Sequence, residues 1–179
     1  MRKLIYIPII HTEVDMGSLN EEIKRQYLEK YGEAKWKEHA RAIEKIWEGL
    51  KKKIEAMKLD AKKVRIYQDG LPLCGQEEKI VRELANKKSS NHELILWLME
   101  QGAELEGTEN PEILREEYEM LKNIQKVNDL KEKKEALLFY EQNAQNLLKK
   151  RDNFMAQRIE ETLKEGEIGV LFIGLMHRV

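Results

Sequence analysis

The feature that most limits the fold is a run near the C-terminus, Ile168-Gly-Val-Leu-Phe-Ile173, followed by Gly174-Leu-Met-His177. It is apolar without alternation. That pattern predicts a strand buried on both faces, as in a parallel sheet covered by helices on two sides. A second run of this kind, Leu4 to Ile10, ends at His11 and contains Pro8, which argues against full ladder pairing or marks a bulge. Parallel strands need long crossovers between them, and the rest of the chain supplies these.

Ser18-Leu-Asn-Glu21 is a capping box that opens a helical stretch from Leu19 to about Leu59, broken near Gly32. Its second part sets Trp36, Ala40, Ile43, Trp47, Leu50, Ile54 and Met57 on one apolar stripe, which predicts core packing for both tryptophans. Val64 to Gln68 alternates and predicts a strand, with the turn-rich Asp69-Gly-Leu-Pro-Leu-Cys-Gly75 at its end. Helices are expected from about Gln76 to Lys87 and, from the capping box Ser90-Asn-His-Glu93, through Glu100. Gly102 marks a left-handed stop. A short strand at Ala103 to Glu106 then leads to Asn110-Pro111, an N-cap and first-turn pair. From Glu112 to about Lys164 two long helices break near Asn128-Asp129, and Gly166 closes the second.

The order β, αα, β, αα, β, αα, β predicts a helix-rich α/β fold with a small, largely parallel sheet of about four strands. One domain over 1–179 is expected, with a helical hairpin at 112–164 projecting from it. Lys+Arg (32) and Asp+Glu (33) nearly balance, and the net charge of -1 gives no electrostatic reason to expect nucleic acid or an anionic membrane as partner. No apolar stretch approaches a membrane span. The N-terminal run lacks a small-residue cleavage site and reads as a strand, not a leader. Cys74 is the sole cysteine, so no intrachain disulfide forms, which fits a cytoplasmic location.

In an open parallel sheet, ligands bind outside the carboxyl ends of the strands. There the sequence places His11, Glu13 and Asp15, then Gln68 and Asp69, then Glu106, Thr108 and Glu109, then His177. Imidazoles with carboxylates suit a divalent metal such as zinc, manganese or iron, and equally a metal-free acid/base pair. Asp69 and Glu109 have a plainer reading as N-caps of the next helix. His39 and His92 lie in helical segments and read as surface or capping residues. Arg151 falls on the apolar stripe Ala144, Leu148, Met155, Ile159, where a charge must snorkel, pair with a buried acid or face a site. The sequence holds no GxGxxG, Walker A, HExxH, CxxC or GxSxG motif.

Arg151-Asp-Asn-Phe-Met155, Gly166 and Val170-Leu-Phe-Ile-Gly-Leu-Met-His177 resemble the C-terminal signature of the TraB/Tiki superfamily, which includes erythromycin-esterase-like and ChaN-like proteins. In that signature an arginine, a methionine and GxxH stand at set distances. The family's early GxxH has its counterpart in Pro8-Ile-Ile-His11, which keeps the histidine and lacks the glycine. Its acidic motif has Asp69 or Glu77-Glu78 as candidates. The resemblance is specific over about residues 148–177. It implies an α/β fold and, for some members, metal-dependent peptidase or esterase activity. The chain stops two residues after His177, which suggests a C-terminal truncation or a relative without the usual extension.

The combined expectation is a metal-dependent hydrolase acting on a small-molecule or peptide substrate. His11, Arg151 and His177 would be catalytic. The metal ligands would come from His11, Glu13, Asp69, Glu109 and His177. The alternatives are a non-catalytic small-ligand-binding protein and an interaction protein that forms a homodimer through its long helices.

Overall fold

The computed structural model describes residues 1–10, 20–127 and 129–179, without the side chains at 20, 22 and 23. Four strands form one sheet: β1 (Lys3–Ile9), β2 (Val64–Gln68), β3 (Glu104–Glu106) and β4 (Ile168–Gly174). They lie in the order β1-β4-β2-β3, and every pairing is parallel. Five helices connect them: α1 (Asn20–Ala56), α2 (Glu77–Asn86), α3 (Ser90–Glu100), α4 (Pro111–Lys126) and α5 (Leu130–Thr162). This is the helix-rich α/β architecture that the alternating pattern predicts. No helix among the described residues is long and apolar enough to cross a membrane.

The uniform apolarity of β4 has a direct cause. It is flanked by β1 and β2, and Gly169 to Ile173 are all buried. Toward one face, Val64 and Ile66 of β2 and Val170 and Phe172 of β4 meet Ile43, Trp47 and Ile54 of α1, Val81 of α2, and Leu94, Ile95 and Leu98 of α3. Toward the other, Tyr67, Leu171 and Ile173 meet Met155 and Ile159 of α5 and Leu163 just beyond it. Full burial of one such side chain contributes about 1.5–3 kcal/mol relative to exposure, so β4 anchors both cores. Gly169 is required by space. A Cβ there would lie 2.6 Å from Leu4 Cδ1 and 3.3 Å from Leu163 Cδ2.

β1 differs from expectation. It is an edge strand, with Tyr6 50% exposed beside buried Ile7 and Ile9. Apolar periodicity alone does not distinguish a central strand from an edge strand with one uncovered face. The edge position also explains Pro8, which stays in register opposite Ile173. An edge strand tolerates a missing N–H directed away from its neighbour.

Helix boundaries follow their chemistry. Gly32 (φ 80°) interrupts α1. Gly102 adopts φ 106° after α3. Asn110 and Asp129 cap α4 and α5, each accepting two backbone N–H groups. The α3 cap lies one residue earlier than expected. Ser89, not Ser90, accepts from the His92 N–H, and its hydroxyl also bonds His92 Nδ1 at 2.7 Å, so His92 is a buried capping partner. Met57, at the end of the predicted α1 stripe, is 49% exposed because the helix stops at Ala56.

Candidate functional site

The carboxyl ends of the strands carry a cluster of ionisable groups. Asp69 follows β2 directly. Glu109 follows β3 and is fixed by backbone bonds between two loops: Glu109 N donates to Leu71 O at 3.0 Å and Leu73 N to Glu109 O at 2.9 Å. Thr108, fully buried, donates its hydroxyl to Gln68 O. Asn110 caps α4 and Gln76 stands at the N-cap of α2, so neither Glu109 nor Asp69 has the capping role. Both carboxylates are free to face the sheet edge.

Arg151, one turn before Met155 on the buried face of α5, reaches into this cluster. Its Nη2 donates to Asp69 Oδ1 and to Glu109 Oε1, each at 2.6 Å, and its Nε also donates to Glu109 Oε1 at 3.0 Å. Nη1 donates to Glu117 Oε2 of α4 at 2.8 Å, and Tyr140 donates to the other Glu117 oxygen at 3.2 Å. The charge on the apolar stripe of α5 thus meets two buried acids, Asp69 and Glu109, and the half-buried Glu117, which lies between Leu114 and Leu121 along α4.

His177 stands on the other side of Asp69. Its Nε2 is 3.3 Å from Asp69 Oδ2 and its Nδ1 is 2.6 Å from Asp152 Oδ1. Asp152 Oδ2 also accepts from Arg178 N at 3.0 Å, which fixes the carboxylate. Adjacent helix residues point apart, so Arg151 and Asp152 address opposite sides of the same site. Ligand atoms of Asp69, Glu109 and His177, from three different strand ends, lie within 4.8 Å of one another. Glu109 Oε2 is buried and has no hydrogen-bond partner among the described residues.

The proton affinities diverge for physical reasons. Burial pushes the Asp69 carboxyl up, but the bond and charge of His177, the charge of Arg151 and the Gly174 N–H outweigh it and hold the group at about 2. At Glu109 burial wins over the bond from Arg151, and the pKa is raised. Burial would lower the His177 imidazole, yet Asp69 first and Asp152 second outweigh it and raise its pKa above the ordinary value. Among the described residues, the carboxylates of Asp69, Glu109, Glu117 and Asp152 face the cations Arg151 and His177, an excess of negative charge.

A cleft of about 620 Å³ is lined by Asp69, Glu117, Arg151 and His177 of the cluster, with Glu109 fully buried behind them. A larger hollow, about 910 Å³, lies along α2 and β3 and holds none of these groups. Gly174 shapes the floor. A Cβ there would lie 2.9 Å from Asp69 Oδ2, whose hydrogen bond from Gly174 N is 3.0 Å long. Gly174→Ala is therefore expected to displace Asp69 and lower stability by about 1–3 kcal/mol. Urea denaturation measures this, and an unchanged midpoint would show that Asp69 has room to move.

Of the residues predicted from sequence, the structure brings together Asp69, Glu109, Arg151 and His177. His11 and Glu13 lie outside the described residues. Glu77 and Glu78 have local roles: Glu77 Oε1 accepts from Cys74 N and Gly75 N at 2.7 and 2.9 Å, and Glu78 pairs with Arg82. Sequence reasoning missed Asp152, Glu117 and Tyr140 as members of the site. The signal for Asp152 is its place beside Arg151 at a set distance from Gly174-Leu-Met-His177. The signal for Glu117 is an acid on an apolar stripe, the counterpart of Arg151. Comparison with protein-family models, curated proteins and solved structures gives no match for this chain.

Proposed function

We propose that this protein is a hydrolase of small ester or amide substrates, with a divalent cation bound at the Asp69–Glu109–His177 cluster. The observation that carries the reading is the convergence of these ligand atoms within 4.8 Å, from three strand ends. The partnerless, buried oxygen of Glu109 and the excess of negative charge both fit a cation. Asp152 on His177 Nδ1 fits as well, because a carboxylate there leaves Nε2 as the ligand atom. The resemblance at 148–177 points the same way.

Asp69, Glu109 and His177 are the donors in this reading, and His11 and Glu13 are further candidates. Zinc, manganese or iron would polarise the substrate carbonyl and acidify a water. The attacking water gives up a proton as its oxygen bonds to the carbonyl carbon. The bond to the leaving oxygen or nitrogen then breaks, and the leaving group receives that proton. Arg151 positions both carboxylates.

The test is calorimetric titration with Zn²⁺ and Mn²⁺, beside turnover of 4-nitrophenyl acetate and alanine 4-nitroanilide. Asp69→Asn is expected to lose both cation binding and turnover. Glu109→Gln is expected to weaken cation binding and turnover together. Wild-type protein that binds none of Zn²⁺, Mn²⁺ and, titrated likewise, Fe²⁺ would remove the cation from the reading.

A second reading, a homodimer formed through α4 and α5, has its own support. No residue of α4 is buried, and Leu137, Leu138 and Phe139 of α5 are 44%, 53% and 55% exposed. Light scattering at high protein concentration decides it, and a strict monomer would exclude it.

A further inference from the structure

The cleft above the ionisable cluster is not uniformly polar. Its lining includes the apolar side chains of Ile10, Ala144, Leu148, Leu175 and Met176, contributed by the end of β1, by α5 and by the segment after β4. Leu175 and Met176 are 78% and 76% exposed, although they directly precede half-buried His177. Adjacent exposed apolar side chains beside polar groups in a cleft mark a surface suited to an apolar ligand. Here their location specifies the occupant. They share the cleft with Asp69 and His177, so a molecule reaching those groups passes along them. A charged chain would lose hydration against these side chains, whereas a neutral hydrocarbon chain would release ordered water from both surfaces.

We propose that the apolar lining is an acyl-chain subsite: the cleft takes neutral acyl esters or amides whose hydrocarbon chain lies on Leu148, Leu175 and Met176 while the carbonyl sits at the ionisable cluster. This deepens the hydrolase reading and rests on it for the position of the reacting group. The volume of about 620 Å³ is within the range of sites that enclose small organic ligands. The polar groups fix orientation, and the apolar lining selects chain length. Tyr140, whose hydroxyl is engaged by Glu117, stands beside Ala144 in the same cleft and bounds the chain from α5.

The experiment pairs binding with turnover. Octanamide and butanamide are titrated into the full chain by calorimetry, and 4-nitrophenyl octanoate and acetate are compared as substrates. Each methylene buried contributes roughly threefold to fourfold in affinity. Octanamide is therefore expected to bind at least tenfold more tightly than butanamide. The double variant Leu175→Ser, Met176→Ser, altered only at exposed positions, is expected to erase most of that difference and to lower the octanoate-to-acetate ratio in kcat/KM. Equal affinities of the two amides in wild-type protein would overturn the subsite, as would a double variant that binds octanamide as wild type does. Octanamide binding without turnover of either ester would sink the hydrolase reading and leave the subsite standing. Acetate turnover without chain-length preference or octanamide binding would do the reverse.

Discussion

Arg151→Met is expected to destabilise the fold by about 3–5 kcal/mol, the usual result of removing one partner from a buried ionic network. The side chain is 13% exposed, and its loss leaves Asp69, Glu109 and Glu117 facing one another without their shared cation. Methionine preserves much of the volume, so the loss reports charge and hydrogen bonding more than a cavity. Two of these carboxylates are nearly or fully buried, Asp69 at 7% and Glu109 at 0% side-chain exposure, so water does not replace the guanidinium. Urea denaturation of wild type and variant at neutral pH measures the difference. A loss under 1 kcal/mol would place Arg151 with surface ion pairs, whose typical contribution is about 0–1 kcal/mol. Restoring most of the stability at acidic pH, where Glu109 is protonated, would identify repulsion among the acids as the main component.

His177→Gln is expected to abolish a pH-dependent part of the stability and, because His177 is a donor to the cation, to lose turnover together with cation binding. The imidazole pKa is raised in the folded state. The folded protein therefore holds this proton more tightly than the unfolded chain does. The stabilisation is complete below the ordinary histidine value of about 6.5 and is lost as pH rises through the higher folded value. Asp69 has the opposite sign. Held at about 2, it contributes stability above its ordinary value of about 3.9 that is lost as pH falls toward 2. Glu109, raised, acts in the same sense as His177 from a lower starting pH. Wild type minus His177→Gln, measured by urea denaturation in cation-free buffer, should shrink as pH rises above the ordinary histidine value of about 6.5. A difference that does not fall as pH rises would contradict the charged imidazole between Asp69 and Asp152.

Much of the fold was legible in local chemistry. The alternation of Val64 to Gln68 corresponds to β2 residue for residue, and Asp129 caps α5 at the predicted break. These signals act over a few residues and do not depend on what packs against them. The edge position of β1 was not legible, because it depends on where β4 inserts. The Ser89 cap was missed because two adjacent serines offer the same hydroxyl and only packing selects one. In the site, Arg151 was visible as a charge on an apolar stripe, and His177 and Asp69 as polar residues after strands. Asp152 and Glu117 were not, since a side chain on a helix shows its direction in sequence but not its partner on another element. The rule that parallel sheets gather function at one edge supplied what spacing did not.

The place of β4 in the sheet bears on how the chain assembles. β4 is the last strand in sequence, yet it alone joins β1 to β2. Until residues 168–174 arrive, β1 has no ladder partner in the described sheet, and β2–β3 is a two-strand ribbon three pairs long. Such a ribbon is marginal without further strands. Closure by β4 spans nearly the whole sequence, a non-local step of the kind that slows folding. The same step sets Gly174 against Asp69 and brings His177 to Asp152. The sheet and the candidate site are therefore completed in one event, and a nascent chain would hold neither before that strand emerges.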